Sequence, residues 1–252
     1  MSNRTDYIAS LVKGLTVIEC FSADNPRLST TEVSVLTKLD RASARRCLLT
    51  LVEAGYADFD GKFYTLTPRV LRLGISALAT MSLPSLVQPW IDQLSEQTQS
   101  SVSVSILDEG SIVYVARAAQ KRVLSIGLMP GSRLPAHCTS MGRVLLAGLP
   151  PKDVVASIKG MDLTPRTPFS ETDPEVLLDV IDRTRENGFA IVDQELELGL
   201  RSISVPLFNA RKQVVAAVNI GVGLTQKDAS ELENLFLQDL LRVQSGLARV
   251  LS

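Results

Sequence analysis

Arg41, Ser43, Arg45 and Arg46 crowd into six residues at the start of a segment, Arg41 to Ala54, that reads as one helix. A guanidinium carries its donors in a fixed fork that matches the O6 and N7 acceptors of guanine or the oxygens of a phosphate. At about 100° per residue the segment sorts into two faces. Ala44, Cys47, Leu48 and Leu51 fall on one side; Ala42, Arg45, Arg46, Leu49 and Glu53 fall opposite. Such a helix is either a basic probe held by its apolar back or an ordinary helix with a solvated arginine face. Three other clusters hold reactive types. His137 and Cys138 set a base beside a thiol, but adjacent side chains of an irregular segment diverge, so both are expected to be structural or to line a ligand. Asp193, Glu195 and Glu197 alternate without a glycine-rich phosphate loop, zinc motif or nucleophile elbow, and read as partners of Arg143 and Arg201. Thr139 to Arg143 opens a helix whose free amides and dipole favour an anion. Arg143 there either adds charge to a carboxylate site or is solvated or paired to Glu195 or Glu197.

The frame around these residues follows from composition. With 252 residues, 45% hydrophobic and 21% charged, the chain suits two packed domains. Three scattered cysteines support neither a disulfide framework nor a zinc cluster, and a single histidine leaves no metal site or cofactor to expect. Low aromatic content supplies few stacking platforms for single strands. With 26 basic against 27 acidic side chains, net charge selects no partner. No long apolar run or leader-like segment occurs, so a cytoplasmic address without membrane contact is expected.

Leu11, Leu15, Ile18 and Phe21 put an apolar stripe on a first helix, Tyr7 to Phe21. Ser29 and Glu32 have capping-box spacing at the head of a second, Thr30 to Leu36, and Asp40 can cap the third, which Gly55 ends. Tyr56 to Asp58 and Phe63 to Leu66, around Asp60-Gly61, predict a hairpin with Lys62 at its tip. Three helices and a basic-tipped hairpin make a winged helix-turn-helix over residues 1–68. Thr30, Thr31, Ser43 and Lys62 suit phosphate positioning; Arg41, lying with Ser43 in the first turn, sits where a recognition helix meets base edges, and Arg45 and Arg46 can reach guanine edges. An apolar connector, residues 69–83, needs a partner surface. Residues 84–252 read as an α+β domain: a helix from Pro84 to Thr98; strands Val102 to Leu107, Ile112 to Ala116 and Val123 to Leu128; helices Thr139 to Leu149, Lys152 to Lys159 and Glu175 to Asn187; strands Ala190 to Val192, Ser202 to Phe208 and Val214 to Gly221; and a last helix, Gln226 to Leu251.

Over nearly its whole length the sequence resembles the IclR family of bacterial transcription regulators. The motifs are Ser10-Leu11-Val12-Lys13-Gly14-Leu15, Arg41-Ala42-Ser43-Ala44-Arg45-Arg46, Leu66-Thr67-Pro68-Arg69-Val70-Leu71, Leu134-Pro135-Ala136-His137-Cys138-Thr139-Ser140-Met141-Gly142-Arg143, and Asp193 to Arg201. The branch it is most similar to governs aromatic-acid catabolism. The resemblance implies a winged-helix reader of double-stranded promoter DNA, a dimerising linker helix and a GAF-like effector domain with an antiparallel sheet. The assembly it implies is a homodimer, with a dimer of dimers left open. A small carboxylate effector would meet Ile126, Leu134, Ser140, Met141, Asp193, Leu200, Ser202, Asn219 and Gly221, joined by Arg143 on the helix-terminus argument; Val192 is the alternative to Asp193. The competing reading is a small-organic-acid enzyme built on the C-terminal domain, against which the missing catalytic motifs count.

Overall fold

Ser29 accepts from the Glu32 amide while the Glu32 carboxylate accepts from the Ser29 amide at 2.7 Å, a reciprocal pair that fixes where the second helix begins. The structure, a computed structural model, describes residues 8–22, 25–73, 82–120, 127–223 and 229–251. The chain divides into two units, Met1–Thr80 and Met81–Ser252.

In the first unit, helices α1 (Ala9–Glu19), α2 (Thr30–Thr37) and α3 (Arg41–Glu53) pack around Val17, Val33, Ala44, Leu48 and Leu51. Between α2 and α3 the chain turns at Lys38, whose φ of 56° is left-handed, and Asp40 accepts from the Ser43 amide at 2.9 Å to cap α3. The hairpin forms as β2 (Ala57–Phe59) and β3 (Tyr64–Leu66), its turn held by the Asp60 carboxylate, which accepts from the Lys62 and Phe63 amides. A third strand, β1 (Arg27–Leu28), pairs with β3; sequence periodicity could not show a two-residue strand. The expected stripe of α1 is corrected: Leu11 and Leu15 are exposed, and it is Val17 that is buried. The helix is apolar on two sides and this unit covers one.

The second unit is a six-stranded antiparallel sheet between two helical layers. Its strands are β4 (Ser101–Asp108), β5 (Ser111–Ala118), β6 (Arg133–Pro135), β7 (Ala190–Asp193), β8 (Leu200–Phe208) and β9 (Val214–Gly223), in the order β6-β5-β4-β9-β8-β7. Helices α4 (Ser82–Thr98) and α8 (Leu232–Leu247) cover one face, burying Val102, Val104, Ile203, Val205, Val218 and Ile220. Helices α5 (Ser140–Ala147), α6 (Pro151–Gly160) and α7 (Pro174–Asn187) cover the other. Both faces are therefore dry, and polar residues alternating along the strands cannot be assumed to face water. All eight residues of α5 are buried, and Gly142 lets it approach so closely that a Cβ there would lie 2.1 Å from the Ala136 carbonyl oxygen. In α8, Leu232, Phe236, Leu240, Val243 and Leu247 form the buried face that their spacing predicts. Most of the 69–83 connector, the core of the Val123 to Leu128 strand with Ile126, the start of the last helix at Gln226, and Tyr7 lie outside the described residues.

Candidate functional site

Two sites emerge, one on each unit. On the first, α3 is anchored by Ala44, Leu48 and Leu51 and shows Arg41, Arg45 and Arg46 to solvent. Arg46 lies far enough round the helix to reach the Ser43 hydroxyl at 3.5 Å, so the arginines fan out rather than stack. Thr31 and Lys62 are exposed and Thr30 is partly so. Ser43 is a correction: it is buried, only 5% exposed, because its position places it over α1 and not on the outward arc, so its hydroxyl is not presented to a phosphate. At the wing, Arg27 pairs with Asp60 at 2.8 Å, and both Arg27 and Lys62 lie over the Phe63 ring. The sequence gives no sign of the Arg27 contribution, which becomes visible only once β1 joins β3.

The second site is a cavity between the sheet and the N-terminus of α5. Its floor consists of two cross-strand rows. Arg117, Ser103 and Asn219 lie side by side on β5, β4 and β9, and Ser101, Gly221, Ser202 and Val192 on β4, β9, β8 and β7. Gly221 leaves a hollow: a Cβ there would have no neighbour nearer than 3.9 Å. Tyr114, Cys138, Thr139, Ser140 and Met141 form one wall, Leu196 and Leu200 the other. The Ser140 and Ser202 hydroxyls meet at 2.9 Å. Space between atoms, mouth included, amounts to about 520 Å3, but only about 30 Å3 admits the centre of a water molecule.

Six of the expected effector residues thus line the cavity: Ser140, Met141, Leu200, Ser202, Asn219 and Gly221. Three do not. Leu134 pairs with Ile112 in the core. Asp193 turns to the other side of β7 and pairs with Arg201 at 2.8 Å, leaving Val192 as the lining residue. Arg143 is buried and already engaged: Nη2 donates to Glu195 at 2.6 Å and Nε to the His137 carbonyl at 3.1 Å. Thr139 caps α5 by accepting from the Gly142 amide. This is the capped, ion-paired helix start that the sequence left as the alternative to a carboxylate site.

Electrostatics argue against chemistry at His137-Cys138. Burial pushes the Cys138 thiol up to about 11, with the Glu195 carboxylate adding to the effect, so the nucleophilic thiolate is suppressed. Burial and then Arg143 lower His137, and neither of its ring nitrogens finds a partner in the described structure. Tyr114 is raised to about 12 by burial and remains a phenol. Among the described residues no three metal-ligating side chains converge.

Comparison with known proteins shows the family of the chain. The IclR helix-turn-helix domain matches residues 10–61, and the bacterial transcriptional regulator IclR C-terminal domain matches residues 75–244. The chain belongs to the IclR family. A Pca regulon regulatory protein of Pseudomonas putida is 41% identical over 98% of this chain and 85% of its own. A solved chain from Rhodococcus sp. RHA1, described as a transcriptional regulator, is 42% identical with a TM-score of 0.78, covering 97% of this chain and 98% of that one. The inducer-binding domain of PobR from Acinetobacter, solved as a double mutant with 3-hydroxybenzoic acid, is 31% identical with a TM-score of 0.63 over 67% of this chain and 98% of its own. As an IclR-family member this protein is a DNA-binding transcription regulator controlled by a small effector, and its relatives are named as regulators, not enzymes. No helix among the described residues is long and apolar enough to cross a membrane.

Proposed function

We propose that this protein is a homodimeric, cytoplasmic regulator that reads paired half-sites in double-stranded promoter DNA and answers to a small aromatic carboxylate. The observation that carries the reading is α3, locked by its buried Ala44, Leu48 and Leu51 while Arg41, Arg45 and Arg46 stand in solvent. A helix in that pose enters the major groove, where Arg45 and Arg46 take guanine edges and Thr30, Thr31 and Lys62 take phosphates. The exposed stripe of Leu11, Val12 and Leu15 on α1, continued by Ile8 just before it, supports a second copy, because an apolar surface of that kind marks an interface. A two-fold dimer requires a palindromic or repeated operator. The aromatic-acid effector is supported by the Pca regulon relative and by the 3-hydroxybenzoic acid held by the PobR domain.

The test is binding of the full chain to its own promoter fragment across a salt series. Log affinity is expected to fall against log salt with a slope of about −0.9 per phosphate neutralised, and a flat line would remove the groove-reading helix. In parallel, a ligand at about 100 times its Kd should stabilise the fold by about 2.7 kcal/mol, which a thermal-shift panel of aromatic acids detects.

A further inference from the structure

The geometry points to Arg117 as the anchor for a ligand carboxylate in the cavity, with Asn219 accepting from a hydroxyl on the same ligand and the Ser101 hydroxyl donating to it. This rests on the effector reading above and narrows it to a monocarboxylate bearing a hydroxyl, in place of a dicarboxylate or an unsubstituted acid.

Arg117 is the one cation among the described residues that line the cavity. Its Nη1 donates to the Ser103 hydroxyl at 2.9 Å, and no carboxylate of the described residues pairs with it. A partly buried guanidinium without a counter-ion is held at a cost that an entering anion removes. Arg143, the other buried arginine near the cavity, is closed to a ligand by Glu195.

The opposite polarity lies one and two strands away, on β4 and β9. The Asn219 Oδ1 and Ser101 Oγ atoms are buried without a hydrogen-bond partner, and both residues line the cavity. Buried polar atoms are rarely left unpaired, so these two mark where a ligand's polar group belongs. An amide oxygen accepts only, and thus asks for a donor. A hydroxyl supplies one; an ionised second carboxylate offers acceptors alone and would find no second cation among the described lining residues. Arg117, Ser103 and Asn219 share a cross-strand row, with strands about 4.8 Å apart, and Ser101 is two residues along β4, about 7 Å from Ser103. One ring carrying both groups spans that distance. The room between the walls is water-sized, so the lining must give way for a ring to enter.

The test titrates the full chain with 4-hydroxybenzoate, benzoate and adipate as probes. The expected order of affinity is 4-hydroxybenzoate, then benzoate, then adipate. Arg117→Gln should weaken 4-hydroxybenzoate by roughly 10- to 100-fold, the loss of a charge-assisted hydrogen bond. Asn219→Leu should bring 4-hydroxybenzoate down to the affinity of benzoate while benzoate still binds. Circular dichroism reports folding. Should Arg117→Gln fail to fold, Arg117→Met decides, since it keeps an apolar stem of similar shape and removes the charge: undiminished affinity overturns the anchor. Binding that survives Arg117→Gln, or adipate binding best, overturns the inference with the effector reading intact. A parent chain that binds promoter DNA but none of the three acids overturns the aromatic-acid reading itself.

Discussion

The two units keep their arginines in opposite places. On the first, Arg41, Arg45 and Arg46 stand on the outside of a helix; on the second, Arg117 and Arg143 are drawn in behind a sheet and a helix. The difference fits the ligand proposed for each. A DNA backbone is a long, fixed array of charge that can come to the surface, and contacts made there remain sensitive to salt. A small anion brings one or two charges, and only in a site with little water is their attraction large enough to hold it. The inner arginines therefore carry a desolvation cost the outer ones escape, and one of them, Arg143, meets that cost with a permanent internal partner.

The widest test of this contrast is to unpair the inner charge. Glu195→Ala leaves Arg143 buried and unmatched, and also removes the acceptor of the Glu171 amide. A loss of about 3–5 kcal/mol is expected by chemical denaturation, with replacement of both Arg143 and Glu195 by apolar residues regaining most of it. Stability unchanged by the single substitution would mean the pair is solvated in practice. The outer charges should behave in reverse. Arg45→Ala and Arg46→Ala are each expected to cost about 1–3 kcal/mol in promoter affinity where the contact is to a base, while stability stays within about 0.5 kcal/mol. A fall in melting temperature for either would break the comparison. Between these lie the caps: Ser29→Ala or Asp40→Ala should destabilise the first unit by about 1 kcal/mol, weakening DNA binding only through the population of folded reader. The gentlest probe is pH. His137 holds its proton less tightly in the fold than its ordinary 6.5, so between that value and its lowered one the unfolded chain binds more protons. Stability should therefore decline as pH drops below about 6.5, and His137→Leu should flatten that part of the curve.

What is legible in the sequence divides along the same line. On the first unit the side chains that face solvent and those that pack are separated by helical period, so Arg45 and Arg46 opposite Ala44, Leu48 and Leu51 can be read directly, as can the Ser29 and Asp40 caps. What fails there is the border case: Ser43, on the edge of the buried arc, and the second apolar side of α1. On the second unit the helices and most strands are legible from their apolar spacing, but the cavity is not. Ser101, Ser103 and Ser105 alternate with Val102 and Val104, a pattern that ordinarily marks a water-facing side, and all three serines are buried. Only the helical layer of α5 to α7, closing over that face from far along the chain, turns a polar stripe into a lining. Arg117 escapes notice for the same reason. Tyr114 faces the cavity with it because a bulge between Val104 and Ser105 shifts the pairing of β4 with β5.

The doubly covered sheet also bears on how such a receptor changes its tastes. Successive residues of β4 answer to different masters: Val102 and Val104 hold the domain together against α4 and α8, whereas Ser101 and Ser103 confront whatever occupies the hollow. Descendants of this chain can exchange every second residue to accept a new inducer and leave the hydrophobic half of the strand as it was, so novelty in recognition need not be bought with fragility.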